Sequence, residues 1–171
     1  LPFLMQALIK LTPRFPQVTA NYDDEAGILY RHSELHVGIA AQTPQGLVVP
    51  VVHNAQTLDL WGCGSEIRRL AEAARSGKAK REELSGSTIT ITSLGAMGGI
   101  ASTPVINAPE VAIIGINKMA LRPMIRDGAV VARQMMNLSS SFDHRIVDGY
   151  DAAEFIQAIK TMLEHPATLF M

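Results

Sequence analysis

Within the run Ser87-Thr88-Ile89-Thr90-Ile91-Thr92-Ser93, hydroxyl and isoleucine alternate with a period of two over Thr88 to Thr92. That period belongs to a β-strand and is incompatible with a helix. Successive side chains of a strand point to opposite faces, so the isoleucines are expected to enter a core while the hydroxyls line the other face. β-Branched residues suit this extended surface because their stiff side chains pack well on it. A chain built around such a strand needs partner strands and helices to cover its apolar side. The glycine-rich segment that follows, Gly95-Ala96-Met97-Gly98-Gly99, lacks the lysine and spacing of a P-loop. It reads as a loop needing unusual backbone angles and not as a phosphate cradle.

The flanking sequence supplies those partners. Leu4, Leu8 and Leu11, with Met5 and Ile9, recur at helical spacing until Pro13 and Pro16 stop the pattern. Segments 18–22 and 28–31 read as a hairpin about the polar turn 23–27, and 35–42 and 47–53 as two further strands about Thr43-Pro44-Gln45-Gly46. Four strands in succession favour antiparallel pairing. A helix is predicted over 57–76, with Ile67, Leu70, Ala71 and Ala74 on one side, weakened in its first turns by Gly62 and Gly64. Residues 111–116 form a buried strand, and 118–125 and 130–140 a hairpin about Asp127-Gly128. Ala152, Phe155, Ile156, Ile159 and Leu163 make the apolar stripe of a closing helix that ends at His165-Pro166. No repeat or linker interrupts the chain, so the expectation is one α+β domain over residues 1–171. Apolar residues make up 47% but aromatics only 5%, as expected where sheets of Val and Ile pack against helices.

Charge and hydropathy remove several function classes. Fifteen Lys+Arg against 16 Asp+Glu, with no long basic run, gives no sign of nucleic acid or of an anionic membrane. The longest apolar runs, 47–52 and 111–116, fall far short of the roughly 20 residues that cross a bilayer. The single Cys63 cannot form an internal disulfide, and no signal peptide opens the sequence, which points to a reducing compartment, the cytoplasm by default. A chain that starts at Leu1 inside a helical pattern reads as a fragment.

Two residue types invite chemistry but give a weak signal. His32 and His36 could share a metal on a helix, but in a strand four residues span ~13 Å, too far for one zinc ion. Ordinary surface histidines are the better reading. Cys63 could be a thioester nucleophile, yet nothing near it in sequence activates a thiol. The stronger signal is Asp143-His144-Arg145-Ile146-Val147-Asp148-Gly149, which sets a histidine, a cation and a carboxylate between a strand and an amphipathic helix. That arrangement suits a poised base.

Four stretches, in order, carry a resemblance over essentially the whole chain. They are Gly46-Leu47-Val48-Val49-Pro50-Val51, Thr90-Ile91-Thr92-Ser93-Leu94-Gly95, Asn107-Ala108-Pro109-Glu110-Val111-Ala112 and the histidine motif itself. The sequence resembles the catalytic domain of dihydrolipoamide acyltransferases, the E2 cores of 2-oxoacid dehydrogenase complexes. Leu1-Pro2-Phe3-Leu4, residues 136–142 and Pro166-Ala167-Thr168-Leu169-Phe170 look most like the bacterial branched-chain members. The resemblance implies a chloramphenicol-acetyltransferase-like, coenzyme A-dependent acyltransferase fold, with a mixed or antiparallel sheet packed with helices. It also implies a homotrimer assembling into a larger cubic core, and a bacterial cytoplasmic location. The E1 decarboxylase/dehydrogenase and the E3 dihydrolipoamide dehydrogenase would bind through other domains. By the same likeness the domain lacks its first helix and strand, and the lipoyl and peripheral-subunit-binding domains are absent, so the lipoyl group is carried elsewhere. No metal is implied.

The implied reaction is thioester exchange between dihydrolipoyl-lysine and coenzyme A. A thiol of pKa ~8.5 must lose its proton as it attacks, and an imidazole near 6.5 is neutral and able to accept it. His144 is the expected base. The Thr92 hydroxyl, where many members carry serine, is the expected oxyanion donor, with Ser93 beside it. By the resemblance Asp148 orders the site through a buried ion pair, often with an arginine from the N-terminal segment expected to be missing here. Coenzyme A contacts are expected at Thr92, Ser93, Gln42 and Asn117. The likeness also implies a site shared between subunits, histidine from one and hydroxyl from its neighbour. Two other readings are a non-catalytic core fragment and a chloramphenicol-type O-acetyltransferase.

Overall fold

In the computed structural model, which describes residues 1–171 with the side chain of Ala96 excepted, the chain opens with helix α1 (Pro2–Leu11). Proline in the first turn loses nothing, because the first helical amides have no acceptor within the helix. Leu4, Met5, Leu8 and Leu11 form its buried stripe. Strands β1 (Asn21–Asp23) and β2 (Ile28–Tyr30) make the expected hairpin. The first strand is shorter than the apolar pattern predicts, since Val18 and Ala20 are buried in a turn and carry no ladder.

The two strands expected over 35–42 and 47–53 are each divided. Their outer parts, β3 (Val37–Ile39) and β6 (Val51–Val52), join the main sheet, while β4 (Ala41–Thr43) and β5 (Gly46–Val48) form a ribbon beyond it. Pro50 has no amide to continue a ladder, and its carbonyl accepts from Ile39 N at 2.8 Å. Helix α2 (Leu60–Arg75) starts at the Asp59 cap, whose carboxylate accepts from Gly62 N at 2.6 Å. It crosses over the sheet to β7 (Ile89–Ser93), the alternating run.

β8 (Ala112–Ile116) pairs parallel with β7, and β7 with β3. β9 (Ala120–Arg126) and β10 (Ala129–Met135) form a separate ribbon. Asp127 and Gly128 take φ of 51° and 79°, both on the left-handed side, as a type I′ turn requires. The second arm stops at Met135, and its continuation becomes β11 (Leu138–Phe142), antiparallel to β8. The main sheet therefore runs β11-β8-β7-β3-β6. It is antiparallel at both edges and parallel at its centre, because the α2 crossover before β7 and the 94–111 connection before β8 each return the chain in the same direction. Antiparallel pairing of successive strands holds for β1–β2, β4–β5 and β9–β10, whereas β7 and β8, also successive, pair in parallel.

Helix α3 (Gly149–Glu164) closes the chain, and α1 packs against both α2 and α3. Phe155 of α3 meets the edges of Phe15 and Phe142, with ring centroids 5.4 and 6.4 Å apart. This contact welds the end of α1 and the end of β11 to α3. Among the described residues no helix is long and apolar enough to cross a membrane. The β7 alternation holds, with one difference: Thr88 and Thr90 on the hydroxyl face are each 1% exposed. Both faces of β7 are covered, and its inner threonines find protein partners in place of water.

Candidate active site

β7 and β8 deliver one half of the candidate site at their carboxyl ends. Thr92 and Ser93 close β7 level with Gly115 and Ile116, and Asn117 follows β8. These three polar residues line one cavity of about 240 Å³, walled by Leu94, Gly98, Ser102, Pro104 and Ile116. Three of the four expected coenzyme A contacts are thus brought together. The Ser93 hydroxyl accepts from Gly95 N at 3.2 Å, closing the turn. Asn117 is buried, and its amide donates to Asn137 O at 3.0 Å and Ser139 Oγ at 2.8 Å. Those bonds make it a strut of the cavity wall. Among the described residues the Thr92 hydroxyl alone of the three has no such engagement, so it is available to a ligand. Gln42 leaves the same end of the sheet on β4 but is exposed and lines no part of this cavity.

β11 delivers the other half at the opposite end. Phe142 pairs with Ala112, three residues down β8 from the level of Thr92. With a rise of ~3.3 Å per residue, His144 lies at least about 10 Å from Thr92 along the strand direction alone. The histidine is exposed on a tight turn. Asp143 N donates to Val111 O at 2.8 Å, while Ile146 N and Val147 N both donate to Asp143 O. Val147 is 1% exposed and anchors the turn in the core. The Asp143 carboxylate accepts from the Arg145 guanidinium and backbone. Those bonds, the side-chain ones foremost, hold its pKa below the usual carboxylate value.

Within this chain the exposed Asp148 carboxylate caps α3, accepting from Asp151 N at 2.8 Å. A side-chain acceptor there satisfies an amide that the first helical turn leaves free.

The weaker candidates resolve into structure. His32 and His36 lie in an irregular segment and not in a strand. His36 Nδ1 accepts from Asn54 N at 3.0 Å, and its ring meets His53 edge-on at 4.9 Å. Burial, and then His53, push its pKa down. Among the described residues no group of three or more His, Cys, Asp or Glu could hold a metal. Cys63 is buried, with its sulfur accepting from Gln6 Nε2 at 3.3 Å, and burial pushes its thiol pKa up. That is the reverse of nucleophile activation. A larger groove of about 550 Å³ lies between the β9–β10 ribbon and α3, lined by Met119, Met135, Leu138, Ile156 and Leu163. It holds none of the candidate residues.

Sequence reasoning missed Glu110. This carboxyl is 4% exposed, and its Oε1 accepts from Ser87 Oγ at 2.5 Å, Thr90 Oγ1 at 2.8 Å and Asn107 Nδ2 at 2.9 Å. Its Oε2 has no partner, and burial pushes its pKa up against the three bonds. The signal was an acid three residues after Asn107 together with hydroxyls at every second position of β7.

The family of 2-oxoacid dehydrogenases acyltransferase (catalytic domain) matches residues 1–171. The chain is similar to the lipoamide acyltransferase component of the branched-chain alpha-keto acid dehydrogenase complex of Pseudomonas aeruginosa, 63% identical over 171 residues. Those residues are 100% of this chain and span 40% of that relative's length. A solved structure of Azotobacter vinelandii dihydrolipoamide acetyltransferase, concerned with a serine, a histidine and an asparagine in its catalytic mechanism, is 36% identical. It superposes with a TM-score of 0.94 over 99% of this chain and 70% of that one. Chloramphenicol acetyltransferase superposes with a TM-score of 0.58 at 14% identity, over 95% of this chain and 76% of that one, and shares the fold.

Proposed function

The chain belongs to the 2-oxoacid dehydrogenases acyltransferase (catalytic domain) family, and from that membership we propose that it exchanges an acyl group between dihydrolipoyl-lysine and coenzyme A. The observation that carries the reading is the placement of Thr92 and His144 at opposite ends of one sheet, each open to something from outside. In the Azotobacter vinelandii enzyme the named serine, histidine and asparagine follow the same order and intervals as Thr92, His144 and Asp148 here. That spacing supports assigning the serine's role to Thr92 and the histidine's to His144.

In the proposed reaction the coenzyme A thiol attacks the acyl-dihydrolipoyl thioester carbonyl while His144 takes the thiol proton. The tetrahedral oxyanion accepts a hydrogen bond from the Thr92 hydroxyl. Collapse expels the dihydrolipoyl sulfur, which receives the proton back from the imidazolium. Base and donor more than about 10 Å apart in one chain cannot serve one carbonyl, given hydrogen-bond reach of ~3 Å. The site is therefore completed between copies, His144 of one beside Thr92 of the next, in the trimer and larger core of a 2-oxoacid dehydrogenase complex. A branched acyl group is favoured, because the Pseudomonas aeruginosa branched-chain relative is 63% identical whereas the Azotobacter vinelandii acetyltransferase is 36% identical.

Incubation with isobutyryl-, isovaleryl-, acetyl- and succinyl-CoA plus free dihydrolipoamide tests the proposal. Thiol acylation with the branched donors preferred is expected. Preference for acetyl-CoA would move the substrate class, hydroxyl acylation of an antibiotic would favour the chloramphenicol type, and no transfer would leave a structural core.

A further inference from the structure

We propose that Arg145 is a positioning residue for His144, fastening the histidine's turn to the β1–β2 hairpin; the inference rests on the reading of His144 as the base. The guanidinium engages three partners at once. Its Nε and Nη2 donate to the Asp143 carboxylate at 2.9 and 2.6 Å, and its Nη1 donates to Asp24 Oδ1 at 2.5 Å. Its carbon lies 4.6 Å from the centroid of the Tyr22 ring. A planar fork with fixed donor directions meets two carboxylates and an aromatic face in one geometry only, which a flexible ammonium cannot do.

The two acids belong to different elements. Asp143 is the residue before His144, while Asp24 sits in the turn between β1 and β2. That turn is itself fixed, because Asp23 Oδ1 accepts from Glu25 N and Ala26 N at 3.0 and 2.9 Å. The hairpin is in turn tied to the sheet. Tyr22 N donates to Pro109 O at 2.8 Å, and Asn21 bridges to Glu110 and donates to Ser87 O. A continuous set of contacts therefore runs from β7, through Glu110 and the hairpin, to the residue next to the base.

Stability does not explain this arrangement. The side chains of Arg145 and Asp24 are 57% and 64% exposed, and exposed ion pairs contribute little to folding. What they do is define direction. His144 is exposed, and the bonds of its neighbours fix where its imidazole leaves the surface. A misplacement of about 1 Å in a catalytic group can cost on the order of a hundredfold in rate, so a clamp next to the base acts on kcat.

The test uses Arg145→Ala, Arg145→Lys and Tyr22→Leu in the whole protein, with two readouts. In acyl transfer, Arg145→Ala is expected to lower kcat at least about tenfold and to change KM for either substrate by less than about twofold. Arg145→Lys keeps the charge and not the fork, and recovers little of kcat; Tyr22→Leu gives a smaller loss. The second readout needs no activity. In histidine-labelled protein the His144 imidazole signal, identified by its loss in His144→Ala, should shift and broaden in Arg145→Ala. The signals of His32, His36, His53 and His165 should stay in place. An unmoved His144 signal, or a kcat within twofold of wild type, overturns the clamp. Wild type that transfers no acyl group while the His144 signal still responds would instead overturn the acyl-transfer reading and leave the clamp standing.

Discussion

The two ends of the central sheet are finished in opposite ways. At the carboxyl ends of β7 and β8 the chain makes a recess around Thr92, and its outer wall is a strap held by side chains. Ser102 N donates to Ser139 Oγ, Ser141 Oγ donates to Pro104 O, and Asn137 Nδ2 donates to Ile100 O, at 3.1, 2.6 and 2.8 Å. At the other end β11 runs into a turn that carries His144 outward. One end is a cavity and the other a projection, and they face away from each other in a single chain. Such head-to-tail complementarity closes into a ring when copies are related by rotation. Each end is ordered by contacts of its own, the recess by the side-chain bonds of its strap and the turn by Asp143 and the buried Val147.

Mixing variants breaks or sharpens this comparison most strongly. His144→Ala and Thr92→Ala, each assembled alone, should lose about two to four orders of magnitude in kcat/KM, the range for a missing base or oxyanion donor. Randomly co-assembled in equal amounts, they should regain about one quarter of wild-type sites, since every site draws its base and its donor from different copies. Activity of the mixture no higher than either parent would place both groups in one chain's site and reject the shared arrangement.

Glu110 links the two ends, so its replacement tests whether they are independent. Glu110→Ala leaves the buried Ser87 and Thr90 hydroxyls without this acceptor, each a loss of about 1–3 kcal/mol, and a net destabilisation near 3 kcal/mol is expected by chemical denaturation. Its pH dependence has a defined sign. Burial raises the folded pKa, so the folded state favours the protonated carboxyl. That contribution is present below the unfolded pKa and lost as pH rises through the folded value. Glu110→Gln cannot titrate, so its stability relative to wild type should increase as pH is raised through that range. A constant difference would remove burial as the controlling factor.

Legibility followed the distance over which the physical signal acts. The β7 strand, the β9–β10 turn at Asp127-Gly128 and the α3 stripe from Phe155 to Leu163 were readable because periodicity and turn chemistry are local. The division of 35–42 and 47–53 was not, because it depends on which residues meet Pro50 across the sheet. Parallel pairing of β3, β7 and β8 likewise depends on a crossover that no short window contains. At the site, the grouping of Thr92, Ser93 and Asn117 followed from the ends of β7 and β8 lying side by side. Asn117 still proved to be a strut, since its amide partners come from β11. The motif around His144 was plain in sequence, whereas the role of Glu110 was hidden in a stretch noticed only for its likeness. Two of its three donors lie 23 and 20 residues away.

The smallest effect concerns Asp148, and it separates two roles that the motif superposes. The carboxylate caps α3, and losing a side-chain cap costs about 1 kcal/mol. Asp148→Ala should therefore lower stability by that amount, while Asp148→Asn should keep it, because the asparagine carbonyl can accept from Asp151 N in the same place. With the cap kept, asparagine differs from aspartate in its charge and in the second oxygen, now an amide donor, so activity becomes diagnostic of those. If capping is the whole contribution, Asp148→Asn retains kcat and Asp148→Ala loses little beyond its stability. A large fall in kcat for Asp148→Asn, with its melting temperature unchanged, would mean that the negative charge acts on the His144 turn in the assembled protein. The exposed end of the sheet would then gain an electrostatic partner there, and the contrast with the self-contained Thr92 recess would deepen.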